Sequence, residues 1–163
     1  MRIDRIGRYL AALLLVLMAS LVQAQSPVPS AAPTICPWLT QGTAAKALGS
    51  PVSISVSISD AGQGSCNFSS KEDAVTFLKI EVSKAALSSC GQDGLKLRGI
   101  GNEAVRCKLA GPPDQTVEMI GGRVRDRNFS ITMHTRARQS QPQQDPQNDA
   151  LEQIAELVAG NLF

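Results

Sequence analysis

Between Val52 and Ser59 the chain alternates without a break: Val52, Ile54, Val56 and Ile58 are apolar, and Ser53, Ser55, Ser57 and Ser59 lie between them. A period of two puts the apolar set on one side of an extended strand, which predicts a half-buried strand with a wet serine face. Asp60 to Gly64 then reads as a turn, and Ser65 to Ser69 as a strand with Cys66 and Phe68 on one side. Val75 to Val82 is β-branched and apolar enough for a central strand. Leu95 and Leu97 open another strand, Gly99-Ile100-Gly101 bends it, and Val105, Cys107 and Leu109 resume the alternation. After a turn at Gly111 to Asp114, Thr116–Ile120 and Phe129–Thr135 form a last hairpin with Phe129, Ile131 and Met133 inward.

Two segments follow the helical period instead. Thr40 is placed to cap a short helix whose apolar side is Ala44, Ala45, Ala47 and Leu48, and Gly49 with Pro51 ends it. Leu151, Ile154, Ala155, Val158 and Leu162 share one stripe of a terminal helix, for which Asp149 and Glu152 form a capping-box-like pair. Lys84 to Cys90 reads as a helical turn, and Gln139 to Gln147 as a Gln/Pro-rich linker. The order is helix, five to seven strands, helix. Short connections make neighbouring strands antiparallel, and the two helices need one sheet face to cover. An α+β fold is expected, with both helices packed on one face of the sheet.

The first 24 residues stand outside this pattern. Arg2, Arg5 and Arg8 precede the uncharged run Leu10–Val22, and Val22-Gln23-Ala24 offers small residues for cleavage. As a helix that run covers about 20 Å, short of the ~30 Å hydrocarbon core, so residues 1–24 are read as a signal peptide with no stable membrane insertion after cleavage. Residues 25–34 form a Pro/Ser leader, and 35–163 a single domain in an exported, periplasmic or secreted, protein. The leader sequence also explains the charge. Of 16 basic and 14 acidic residues, positions 1–24 carry three arginines and one aspartate, leaving 13 of each. A neutral chain with five scattered rings, Trp38, Phe68, Phe77, Phe129 and Phe163, has neither the field nor the stacking platform for nucleic acid.

All four cysteines, Cys36, Cys66, Cys90 and Cys107, fall in the exported part. An even count there reads as two disulfides, with three connectivities open. Cys36–Cys66 with Cys90–Cys107 is favoured, because each link staples neighbouring elements and the loops do not interlock. Closing loops of this size stabilises by roughly 3–4 kcal/mol each in the chain-entropy model. Without a Cys-x-x-Cys, and with His134 the single histidine, no metal site and no cofactor are expected.

The chain carries no Gly-x-Ser-x-Gly elbow, no Ser-x-x-Lys, no His-Glu-x-x-His and no phosphate loop. His134 is expected exposed, opposite the buried face. Gly99-Ile100-Gly101 lacks the third glycine of a dinucleotide fingerprint and reads as a bend, with Glu103 bonding backbone N–H groups. Asn67-Phe68-Ser69 and Asn128-Phe129-Ser130 match the glycosylation pattern, but behind a bacterial-looking signal they are read as accidental. Arg123, Arg125 and Arg127 alternate, which in a strand puts three guanidiniums on one side, and Arg136 and Arg138 follow on the returning segment. The bland reading is a solvated edge that resists aggregation. The functional one is a contact surface for an anionic partner, since arginine forks pair with carboxylates and phosphates.

Cys36-Pro37-Trp38-Leu39-Thr40, Ala47-Leu48-Gly49, Cys66-Asn67-Phe68 and Gly99-Ile100-Gly101-Asn102-Glu103-Ala104, with the capped terminal helix, give most of 36–162 a recognisable order. It resembles the small secreted domains and lipoproteins of unknown function common in actinobacteria. The chain departs from them in lacking a lipidation cysteine, in having Phe68 where Trp is frequent, and in its second cysteine pair. The resemblance implies a non-enzymatic α+β domain and supports the Cys36–Cys66 link.

The leading expectation is an exported, non-catalytic interaction module that docks on or inhibits another envelope protein. One alternative is a small periplasmic hydrolase using convergent carboxylates among Glu72, Asp73, Glu103 and Glu118. The other is a carrier holding a small apolar ligand between sheet and helices. Non-reducing peptide mapping of the exported protein should join Cys36 to Cys66 and Cys90 to Cys107. Two free thiols or a Cys66–Cys90 link would defeat this reading.

Overall fold

The computed structural model describes residues 35–87, 90–91, 94–137 and 146–163, the side chains of the last segment from residue 150. The expected signal peptide, the leader and most of the Gln/Pro linker lie outside the described residues. Thr40 starts α1 (Gln41–Leu48) as expected: its Oγ1 accepts from the Thr43 N–H at 3.2 Å, and Gly49 ends the helix in the left-handed conformation at φ 69°. The strands are β1 (Val52–Ile58), β2 (Gly64–Ser70), β3 (Phe77–Ser83), β4 (Leu95–Leu97), β5 (Glu103–Leu109), β6 (Gln115–Val124) and β7 (Arg127–Arg136), followed by α2 (Pro146–Leu162). They form one sheet in the order β1-β2-β3-β7-β6-β5-β4, every neighbouring pair antiparallel. The α+β expectation holds.

Register decides what each face carries. Val56, Cys66, Ile80, Ile131, Ile120 and Arg106 form one cross-strand row, and Ile54, Phe68, Leu78, Met133 and Glu118 the next, all on the side covered by the helices. Leu151, Ile154, Ala155 and Val158 of α2 and Ala44 and Leu48 of α1 close over them, joined by Trp38 and Leu39. The other face begins with the serine lane, Ser53, Ser55 and Ser57 opposite Ser69, Asn67 and Ser65. Each apolar side chain taken fully out of water contributes about 1.5–3 kcal/mol, so the helix-covered face carries most of what holds the register, with Met119 and Val117 buried on the other.

Both disulfides are present, Cys36–Cys66 with Cα atoms 5.9 Å apart and Cys90–Cys107 at 5.6 Å. The first lies in the core and ties the chain ahead of α1 to β2; the second pins the segment after β3 onto β5, on the face away from the helices. Two disulfides fit an extracellular or periplasmic setting. Among the described residues no helix is long and apolar enough to cross a membrane.

Several local expectations are corrected. Residues 84–87 form a bend rather than a helical turn, because the chain there follows the Asn128 side chain, whose Nδ2 donates to the carbonyls of Lys84 and Ala85. Helix α2 starts at Pro146, whose fixed φ suits a first helical position, so Asp149 falls inside the first turn and Glu152 bonds Arg106 instead of a backbone N–H. The last hairpin is longer than expected: β6 and β7 pair down to Val124 and Arg127, leaving a two-residue loop of Arg125 and Asp126. Gly121 and Gly122 lie within β6. Gly122 sits opposite Phe129, and a Cβ there would meet the ring at 2.5 Å and the Glu103 carbonyl at 2.7 Å. Gly122→Ala should therefore destabilise by about 1–3 kcal/mol in urea unfolding. Gly160→Ala, in α2 with nothing within 4 Å of the new methyl, should stabilise by roughly 0.5–1 kcal/mol.

Candidate functional site

The arginines are distributed by the strand pleat. Val124 and Arg127 are directly paired and Val124 is in the core, so Arg127 lies on the helix side of the sheet and Arg123 on the opposite side. The expected one-sided row is not formed. Arg123 Nε pairs with Glu103 at 2.8 Å. Arg127 donates to the Gly62 carbonyl at 3.1 Å, which ties the β6–β7 hairpin to the β1–β2 turn. Arg125 occupies the hairpin loop at φ 54°, a left-handed backbone unusual for a residue with a side chain. Its N–H donates to Asn102 Oδ1 at 2.6 Å, its guanidinium to the Phe163 backbone oxygen at 2.8 Å, and its charge stands 5.3 Å from the Phe163 ring centroid. Asn102 thus performs the backbone bonding expected of Glu103, and the expected bend is formed by Gly99 and Gly101 at positive φ. Arg125, Arg127, Trp38 and Phe163 line a cleft of 440 Å³ at this end.

Arg136 is at the far end of β7, about 30 Å from Arg127 at 3.4 Å per residue. Its guanidinium holds Asp73 at 3.0 Å, and this hydrogen bond, with one from Thr76, lowers the Asp73 carboxyl from 3.8 to about 2. Ser70 Oγ receives the N–H groups of Glu72 and Asp73 and the Ser50 hydroxyl, so the β2–β3 turn is bonded throughout. Arg138 lies outside the described residues.

The four carboxylates do not converge. Glu103 lies on the open face and Glu118 on the helix face, while Glu72 and Asp73 sit at the β2–β3 turn. Sequence reasoning missed a place where two carboxylates meet the same guanidinium. Arg106 of β5 lies between Glu118 of β6 and Glu152 of α2, bonding both, with Arg106 and Glu118 side chains only 12% exposed. The register that faces Arg106 and Glu118 toward α2 is a pairing property, invisible along the chain. The guanidinium bridges the two carboxylates and so ties β6 to α2 through β5.

His134 is on the face away from the helices, as expected, but half-buried and not exposed. It stacks on Phe77 with ring centroids 4.0 Å apart. Burial lowers its pKa below the ordinary value, and its Nδ1 has no hydrogen-bond partner among the described residues. Among the described residues it forms no hydrogen bond with a serine or a carboxylate through Nδ1. Among the described residues no group of three His, Cys, Asp or Glu could hold a metal ion.

A groove of 790 Å³ lies between α1 and α2. Ala47, Leu48 and Ile154 supply apolar lining, Leu157 stands 47% exposed beside it, and among the described residues Lys46 is its one charged lining residue. The groove exists because α1 is only eight residues long and cannot follow the 17 residues of α2. That volume lies within the 300–1,000 Å³ range usual for ligand sites.

The Asp73–Arg136 pair has a defined pH consequence. A carboxyl depressed in the folded state adds stability above its unfolded pKa and loses it as pH falls through the folded value. The contribution is present above 3.8 and fades toward about 2. Asp73→Asn should lower the melting temperature at neutral pH and flatten its decline across that acid window. An unchanged profile would show that the pair contributes nothing.

No family model, no curated protein and no solved structure matches the chain.

Proposed function

We propose that the chain is an exported, non-catalytic binding module that takes an apolar segment of another envelope protein in the groove between α1 and α2. The observation that carries this reading is the contrast between that groove and every charged cluster. Arg123, Arg125, Arg127, Arg136, Asp73, Glu103 and Glu118 bond one another or the backbone, whereas the groove leaves Leu157 exposed over a floor of buried Leu48 and Ile154. Small residues along it, Gly42, Ala47 and Ala150, allow a partner backbone to approach closely. Lys46 has no ion pair among the described residues and would select an acidic residue on that segment. A carrier would need an enclosed space between sheet and helices, where Phe68, Phe129, Leu78, Ile80 and Ile131 are instead fully buried against the helices.

A photo-crosslinking residue in place of Leu157, in the exported protein within its own envelope, should give one discrete adduct. Ala47→Arg, which fills the groove, and Lys46→Glu, which inverts its charge, should each reduce that adduct by about tenfold, equivalent to ~1.4 kcal/mol of binding. The same probe at the exposed Glu72 should give none. Adducts indifferent to both substitutions would overturn the proposal.

A further inference from the structure

The two edges of the sheet are built differently. β4 is three residues long and carries Lys96, a short charged edge of the kind that resists further pairing. β1 is seven residues long, VSISVSI, with no charge, no proline and no bulge in its seven-residue register with β2. Its backbone orientation is settled at both ends. The Lys71 N–H donates to the Pro51 carbonyl and the Ser59 N–H to the Gln63 carbonyl, so the odd-numbered residues bond inward to β2. Val52, Ile54, Val56 and Ile58 therefore turn their N–H and C=O groups outward. Gln41 Nε2 donates to the Val52 carbonyl at 2.7 Å. The outward groups of Ile54, Val56 and Ile58 have no partner among the described residues.

We infer that this edge pairs with β1 of a second copy of the chain, antiparallel about a two-fold axis at Val56. The three residues with open backbone groups then form a closed set: Ile54 opposes Ile58 of the other copy, Val56 opposes Val56, and Ile58 opposes Ile54. The already bonded Val52 carbonyl is left out of the set. The strand alternates identically from either end, so this register sets apolar side chains against apolar ones on the helix side and Ser55 against Ser57 on the open side. Charge agrees with the same orientation. Asp60 follows the Ile58 end and Lys71 flanks the Val52 end, both are exposed, and neither has an ion pair among the described residues. Antiparallel pairing brings each Asp60 toward the Lys71 end of the other copy. This inference is independent of the groove, which lies on the outer side of the helix layer.

Sedimentation equilibrium of the exported chain over the micromolar range tests it, with two double variants confined to exposed serines. Ser55→Lys with Ser57→Lys puts lysine opposite lysine in this register, and Ser55→Asp with Ser57→Lys puts aspartate opposite lysine. The dimer should weaken by about tenfold or more in the first relative to the second, as expected for two like against two opposite cross-strand pairs. Circular dichroism and intact disulfides would show both variants folded. A wild-type monomer at every concentration, or equal association of the two variants, would overturn the inference.

Discussion

Ile80 and Ile131 lie opposite each other on the ladder between β3 and β7, flanked by Leu78 with Met133 and Val82 with Phe129. All six side chains are buried. Every other ladder in the sheet joins strands adjacent in sequence, so this pairing alone unites the meander β1–β3 with the meander β4–β7. Its halves are roughly fifty residues apart, and closing so long a loop costs chain entropy that only the buried row can offset. The helices depend on it too, since α1 enters from the first meander and α2 from the second.

Around that row the charged residues act as ties between the halves. Arg127 reaches from β7 to the β1–β2 turn and Arg136 from β7 to the β2–β3 turn, while Arg106 ties β5 to α2 within the second half. Arg125 and Asn161 hold the end of α2 against the hairpin loop and the Trp38 carbonyl. An alternating arginine run that reads as one surface is thereby divided, Arg123 on the open face and Arg127 on the helix side. Surface ion pairs of this kind add little individually, typically below about 1 kcal/mol, but they fix how loops approach the sheet.

Among the described residues, the proposed contacts fall on two features: the groove between helices of unequal length and the uncharged edge of β1. They lie on different parts of the molecule and use different physics. The groove offers apolar area and one cation, while the edge offers backbone hydrogen bonds in a repeating array. A domain stapled by two disulfides presents both on a rigid frame, which lowers the ordering cost of binding.

The alternation at Val52–Ser59, the cap at Thr40, the stripe on α2 and the pairing of the cysteines were legible along the chain, because each is a local rule of backbone geometry or neighbouring chain. Those rules also gave the α+β class. The need for glycine at position 122 was not legible, since it comes from the Phe129 ring on the neighbouring strand. The faces of Arg123 and Arg127, the meeting of Arg106 with Glu118 and Glu152, the stacking of His134 on Phe77, and the groove were decided only in three dimensions. Each depends on which strand lies beside which and in what register, and a sequence period of two specifies alternation without saying what stands opposite. The local pattern determined the elements and their buried sides; the long-range β3–β7 pairing decided which charges met and which surfaces stayed open.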